Sequence, residues 1–226
     1  EHQPGKPDAD FIICAAEAAA EIVNAERPLV IVGGGVISAG ASAETVAFIE
    51  KYQLPVVHTL MGMGAVPSTH PQMLGFIGMH GAKAANYAVG AADLVIALGS
   101  RFADRLTGNL SKFTANRRFI HIDIDPADID KIVGSSIGLA GDMRVVLNLL
   151  MRKEPKRDHT AWWQQIHMWQ EEFEDDYHVD SLTVPWALHQ VARMTAGKPY
   201  AYVTDVGQHQ MWAALHLHVE EPRTWL

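Results

Sequence analysis

The chain has a single cysteine, Cys14, among its 226 residues. One thiol forbids an intrachain disulfide and any metal site built on several thiolates. Cys14 falls in an alanine-rich apolar pattern and reads as a small core residue. Such sparing use of cysteine fits a reducing compartment. No run of about 18 residues is free of charged and polar side chains, so no transmembrane helix is expected. The first ten residues are polar and proline-bearing. They lack the hydrophobic region of a signal peptide and a starting Met, and read as an interdomain linker. Basic residues are also scarce: 18 Lys and Arg against 26 Asp and Glu, a formal net charge of -8. The longest basic cluster, Arg152-Lys153 with Lys156-Arg157, is too short to line a nucleic-acid groove. Neither a nucleic acid nor a membrane is therefore an expected partner. None of the twelve histidines forms an HExxH or similar ligand pair, so no metal site is expected in the chain.

What is present is an alternation of strand and helix. Helical spacing of apolar residues predicts helices at Phe11 to Asn24, Ser42 to Tyr52, Ala82 to Ala92, Ile129 to Val133 and Met143 to Lys153. Short apolar runs predict strands at Pro28 to Val32, Pro55 to Leu60, Leu94 to Leu98, Phe119 to Ile124 and Ile137 to Ala140. Strands separated by helices imply right-handed crossovers. The fold class is therefore α/β, a doubly wound parallel sheet with helices on both faces. The charged, proline-containing stretch Lys153 to His159 is a plausible boundary. A Trp-rich helix, about Thr160 to Glu174, follows, and its aromatics read as packing against a domain surface. Beyond an acidic loop come a helix at Trp186 to Thr195 and a strand at Tyr200 to Thr204. A second α/β unit is expected to begin there and to be cut off. An exposed apolar patch is expected around Trp186 and Met211 to Leu217.

In doubly wound folds ligands sit beyond the carboxyl ends of the strands, and the glycines and charged residues gather there. Gly33-Gly34-Gly35 follows the first strand. Side-chain-free N–H groups at such a turn can approach a phosphate closely, although the run is not GxGxxG and serves equally as a tight structural turn. Gly99 to Arg105 (GSRFADR) ends the third strand, and paired arginines there suit a dianionic ligand because each guanidinium is a rigid fork of donors. A solvated loop with an Arg–Asp pair is the plainer alternative. Asp123 and Asp125 end the fourth strand. Acids so placed often accept hydrogen bonds from ribose hydroxyls, while Asp125 before Pro126 is also a good helix cap. Asp142 shares that ambiguity. His80 in GMHG is more readily structural than functional, since none of the twelve histidines is informative by itself. These residues indicate a large anionic, dinucleotide-like ligand, with no nucleophile–base pair in view.

Several segments taken together resemble the catalytic large subunits of the acetohydroxyacid synthase (acetolactate synthase) family of thiamine-diphosphate enzymes. They are RPLVIVGGG (27–35), TLMGMG (59–64), LGFIGMHG (74–81), AAN (84–86), RFADRLTG (101–108), IHIDIDP (120–126) and TDVGQHQMWAA (204–214). The resemblance implies a Rossmann-like, FAD-binding middle domain over 1–155, a linker over 156–184 bearing the Trp-rich helix, and the start of a thiamine-diphosphate-binding domain over 185–226. It implies that FAD meets Gly33, Gly34, Gly35, Thr59, Leu60, Met61, Met79, His80, Gly99, Arg101, Arg105, Asp123, Ile124 and Asp142. It implies that Val206, Gly207, Gln208 and His209 meet thiamine diphosphate, and that Asp104 and Arg105 flank a substrate channel. In this family pyruvate is decarboxylated and joined to a second 2-ketoacid, pyruvate or 2-ketobutyrate, at the start of branched-chain amino-acid synthesis. FAD, thiamine diphosphate and Mg2+ are the cofactors, although the net reaction is not a redox one. The expected assembly is a homodimer with a small regulatory subunit, in a bacterial cytoplasm or a eukaryotic organelle.

The chain departs from the family pattern at Ala103, where an acid is usual, so a hydrogen bond toward the flavin is missing. The glutamate that activates the aminopyrimidine and the GDG…N motif that holds metal and diphosphate are not among these residues. No catalytic residue is therefore expected in the segment, and the 226 residues alone should have no synthase activity. The competing readings are another flavin-linked thiamine enzyme, of the glyoxylate carboligase or pyruvate oxidase type, and a non-catalytic nucleotide-binding or assembly module.

Overall fold

The computed structural model describes residues 7–156, 158–173 and 182–226. The first six residues of the linker-like start and the acidic loop lie outside the described residues. Six strands form one fully parallel sheet: β1 (Pro28–Val32), β2 (Val56–His58), β3 (Met73–Phe76), β4 (Leu94–Leu98), β5 (Arg118–Asp123) and β6 (Ile137–Ala140). Their spatial order is β3-β2-β1-β4-β5-β6, the doubly wound order in which the chain reverses its direction of travel between β1 and β4.

The helices are α1 (Ala9–Asn24), α2 (Gly34–Ser38), α3 (Ser42–Tyr52), α4 (Lys83–Ala91), α5 (Asp104–Thr107), α6 (Leu110–Thr114), α7 (Met143–Leu150), α8 (Thr160–Glu172), α9 (Val184–Thr195) and α10 (Gln208–His216). Alternate strand residues face opposite sides of the sheet, and the two sides are covered by different helices. Val30, Val32, Ile96, Leu98, Ile120 and Ile122 pack with Ala18 and Ile22 of α1, Phe48 of α3 and Leu147 of α7. Leu29, Ile31, Val95, Ala97 and Phe119 pack with Ala85 and Ala88 of α4 and with Trp162 and Ile166 of α8. With both faces covered, β1 and β4 read as uninterrupted apolar runs, and all ten of their residues are buried.

A third apolar cluster joins the C-terminal residues to the sheet edge. Ala213, Ala214, Leu217, Val219 and Trp225 pack on Met63 and on Phe76 of β3. Ser68 and Val219 are joined by three hydrogen bonds: Ser68 N and Ser68 Oγ both donate to the Val219 carbonyl at 3.1 Å, and Val219 N donates to Ser68 Oγ at 2.9 Å. The expected exposure of Met211 to Leu217 is thus corrected, because α10 finds its apolar partner in β3 and in the loop after β2. The large apolar side chains left exposed near it are instead Leu182, Val184 and Met194 on and before α9, and Val203, Val206 and Leu226.

Two further expectations change. No helix forms at Ile129 to Val133. Asp130 adopts a left-handed backbone (φ 60°), and its carboxylate accepts from both the N–H and the hydroxyl of Ser135, each at 2.6 Å. That closed turn takes the donors that a helix would have used. The segment Tyr200 to Thr204 forms a single parallel bridge, Tyr202 to Trp225, instead of a strand within a sheet.

Candidate functional site

A cleft of about 1310 Å³ lies beyond the carboxyl ends of β1 and β4. A pocket for a drug-sized ligand is roughly 300–1,000 Å³, so this one has room for a dinucleotide. Its floor is built of glycine. Gly33 N donates to the Leu98 carbonyl at 2.8 Å and Gly35 N to the Gly99 carbonyl at 3.1 Å. A Cβ on Gly33 would collide with the Gly99 carbonyl, and one on Gly35 would lie 2.6 Å from the Gly99 Cα. The glycine run therefore has a structural requirement of its own, because it lets two strand ends touch. Gly34 and Gly35 then open α2 along the cleft, whereas Gly33 lies beneath it.

One wall is the turn after β4. Gly99 (φ 59°) and Phe102 (φ 51°) both take left-handed backbone, which turns the chain sharply and sets Arg101 and Arg105 on the cleft. Among the described residues, no carboxylate lies within ion-pair distance of either guanidinium. Asp104 does not line the cleft; its carboxylate accepts from the backbone N–H of Arg105 at 2.8 Å. Phe102 turns inward, its ring edge-on to those of Phe113, Phe119 and His121.

Asp123 closes β5 at the cleft, nearly buried, and one of its oxygens accepts from Asp125 N at 3.1 Å. Asp125 accepts from Ala127 N at 2.9 Å, stabilising a turn, and no helix follows it. Asp142 does not line the cleft: it caps α7, accepting from Arg144 N at 2.9 Å and Val145 N at 3.2 Å. Thr59, Leu60, Met61, Met79 and His80 also line the cleft, and Met79 N donates to the Arg105 carbonyl at 2.9 Å. Met61, Met79 and Ile124 are exposed apolar side chains at the cleft, surfaces suited to a flat ring system.

The C-terminal residues complete the enclosure with Val206, Gly207 and Gln208. His209 does not line the cleft, and its ring turns back to accept from Asp205 N at 3.3 Å. The sequence reading missed Phe76, Trp212, Arg223 and Trp225, all of which line the cleft. Arg223 donates to the Ile37 carbonyl at 3.5 Å, beside α2. A lone arginine near a chain end carries no local signal, since only the tertiary fold brings it to the glycine helix. Among the described residues, no group of three His, Cys, Asp or Glu is arranged to hold a metal ion, and no helix is long and apolar enough to cross a membrane.

Residues 15–150 match the family described as the thiamine pyrophosphate enzyme central domain. The chain is 42% identical over 215 residues to the acetolactate synthase isozyme 3 large subunit of Escherichia coli, covering 91% of this chain and 37% of that protein. It is 41% identical over 213 residues to the acetolactate synthase large subunit of Haemophilus influenzae, covering 91% and 37%. To the acetolactate synthase large subunit of Parasynechococcus marenigrum it is 39% identical over 239 residues, covering 100% and 36%. The chain thus spans little more than a third of the length of these relatives.

Proposed function

This chain belongs to the thiamine pyrophosphate enzyme central-domain family, and on that premise we propose that it is the flavin-binding part of an acetolactate synthase large subunit together with the start of its thiamine-diphosphate unit. The division is 1–155 for the flavin domain, 156–184 for the linker and 185–226 for the beginning of the second unit. The complete enzyme condenses pyruvate with a second 2-ketoacid, pyruvate or 2-ketobutyrate. It works with thiamine diphosphate, Mg2+ and FAD, as a homodimer served by a small regulatory subunit. The relatives named above, all acetolactate synthase large subunits, support this reading.

The observation that carries the cofactor assignment is the pair Arg101 and Arg105, unpaired with any described carboxylate and set on a cleft at the strand-order reversal. Unpaired guanidiniums beside a glycine floor fit a diphosphate, since each offers a planar fork of donors. Asp123 stands where a carboxylate can accept from a ribose hydroxyl. Met61, Met79 and Ile124 would cover a flavin ring. Val206, Gly207 and Gln208 would hold thiamine diphosphate, which when bound supplies the carbanion-stabilising chemistry for decarboxylating a 2-ketoacid. The chain's own part is to bind, orient and exclude water. No residue in it is assigned a proton transfer, and the 226 residues alone are expected to make no acetolactate.

A titration of the chain with FAD, FMN and NAD in parallel, followed by absorbance and flavin fluorescence, tests the reading. Saturable binding of FAD, weakened about tenfold by Arg101→Gln as loss of one charge-assisted contact implies, supports it. Absence of saturable FAD binding sinks it.

A further inference from the structure

Beneath the arginine turn lies a buried histidine with one ring nitrogen used and one unused. His121, in the middle of β5, is 1% exposed. Its Nε2 lies 2.9 Å from the Ser100 carbonyl oxygen, and its ring meets the Phe102 ring edge-on with centroids 5.1 Å apart. Its Nδ1 is buried and has no hydrogen-bond partner among the described residues.

Those two contacts fall on the segment that needs holding. Within the four residues Gly99 to Phe102, two take left-handed backbone, and one of them is a phenylalanine. A bulky non-glycine residue is strained there. Such a turn persists only when its surroundings over-determine it. Phe102 contributes its buried ring. His121 contributes a hydrogen bond to the carbonyl immediately before Arg101. A carbonyl can only accept, so Nε2 must carry the proton. Burial holds the imidazole pKa below its ordinary value, which leaves the neutral ring with Nε2–H as donor and a bare Nδ1.

We propose that His121 is a positioning residue for anion recognition: by donating from Nε2 to the Ser100 carbonyl and bracing Phe102, it fixes the strained turn that presents the Arg101 guanidinium to the phosphates of a dinucleotide in the cleft. This rests on the FAD reading for the identity of the ligand. His121 does not touch the ligand in this proposal and acts through Arg101.

The test compares His121→Phe, which keeps a ring but removes the donor, with His121→Gln, whose side-chain amide restores a donor near the Nε2 position. Binding of FAD and of riboflavin, which lacks phosphate, is measured for each by fluorescence titration. The expected result is a FAD affinity about tenfold weaker in His121→Phe and within about threefold of the unmodified chain in His121→Gln, with riboflavin affinity unchanged in both. In the Arg101→Gln background, His121→Phe should cost nothing further, because the two substitutions remove one interaction. Additive losses, or equal losses for FAD and riboflavin, would mean that His121 merely supports the fold and would overturn the proposal. If the unmodified chain takes no FAD, the flavin reading itself fails. The imidazole nitrogen chemical shifts of the ligand-free chain then decide the turn separately: a proton on Nδ1 in place of Nε2 overturns the anchoring role.

Discussion

Gly35 and Gly99 touch backbone to backbone across the cleft floor, so closely that a Cβ built on Gly99 would sit 2.6 Å from the Gly35 Cα and 3.0 Å from the Val36 nitrogen. Both obstacles are main chain, which cannot swing aside as a side chain can. Gly99 also has φ 59°. Gly99→Ala therefore meets a steric cost on top of the left-handed one and should destabilise the chain by about 3 kcal/mol or more. Gly40 is the control. Its φ is 63°, but nothing lies within 4 Å of its missing Cβ, so Gly40→Ala should cost only about 1 kcal/mol. Urea unfolding of the two variants separates the terms, and equal losses would show that the strand ends have room to part.

Buried strands and their glycine ends were the part of this fold most legible in sequence. β1, β4 and β6 take the bounds that their apolar runs gave; β1 and β4 do so because both sheet faces are covered and nothing polar interrupts them, whereas β6 is an edge strand with Gly138 and Ala140 exposed. β3 was not foreseen as a strand. It has four residues, Gly75 in it has φ 107°, and its register with β2 shifts between Val56 and Val57. A short bulged edge strand with a glycine inside carries almost no period-2 signal. The positive charge on the cleft could be read from Arg101 and Arg105 because they closely follow a strand's glycine. Arg223 and Trp225 reach the cleft only because Val219 and Trp225 pack against Met63 and Phe76, a contact across about 150 residues that no local pattern encodes. Asp142 and His209 show the converse limit. Their types suit a site, yet their polar atoms are engaged by backbone N–H groups close by in sequence.

Ala103 stands at the N-cap of α5 with no side chain to accept from the helix, and Ser, Thr, Asp and Asn are the residues that serve there. Ala103→Asp should supply an acceptor for the first turn and raise stability by about 0.5–1 kcal/mol, seen as a higher urea midpoint with unchanged slope. Ala103→Leu, which adds no acceptor, should give no such gain. A gain in both variants would mean that the cap is not its source.

The Trp-rich helix earns its place through one indole above the others. Trp162 is 3% exposed and donates from Nε1 to the Pro28 carbonyl at 3.0 Å, tying α8 to the first residue of β1. Trp163 donates to the Gln53 carbonyl at 2.9 Å, but from a partly exposed position at the surface. Trp162→Phe removes a buried donor and part of a large ring, and should cost about 2–3 kcal/mol. Trp163→Phe should cost about 1 kcal/mol or less. Denaturant unfolding gives the order, and a reversal would mean that α8 is held from its outer face.

His58 makes the sheet sensitive to acid. It is the last residue of β2, 3% exposed, stacked on Phe76 with centroids 6.1 Å apart, and its Nδ1 donates to the Thr59 carbonyl at 3.1 Å. Burial pushes its pKa from 6.5 down to about 4, against a smaller upward pull from the Thr59 carbonyl. A histidine pKa lowered by folding means that the unfolded chain takes up a proton first as pH falls. Stability from the neutral ring is therefore complete above about pH 6.5 and drains away between pH 6.5 and 4, by about 3 kcal/mol in all. His58→Leu removes that titration. Its stability at pH 7 has no fixed sign, since a stacked ring and a hydrogen bond are exchanged for an alkyl group. Its loss between pH 7 and pH 4 should nonetheless be smaller than the unmodified chain's by that amount, other titrating groups being common to both. Parallel pH profiles for the two proteins would show that water reaches the imidazole and that β2 ends in a less enclosed place than its packing indicates.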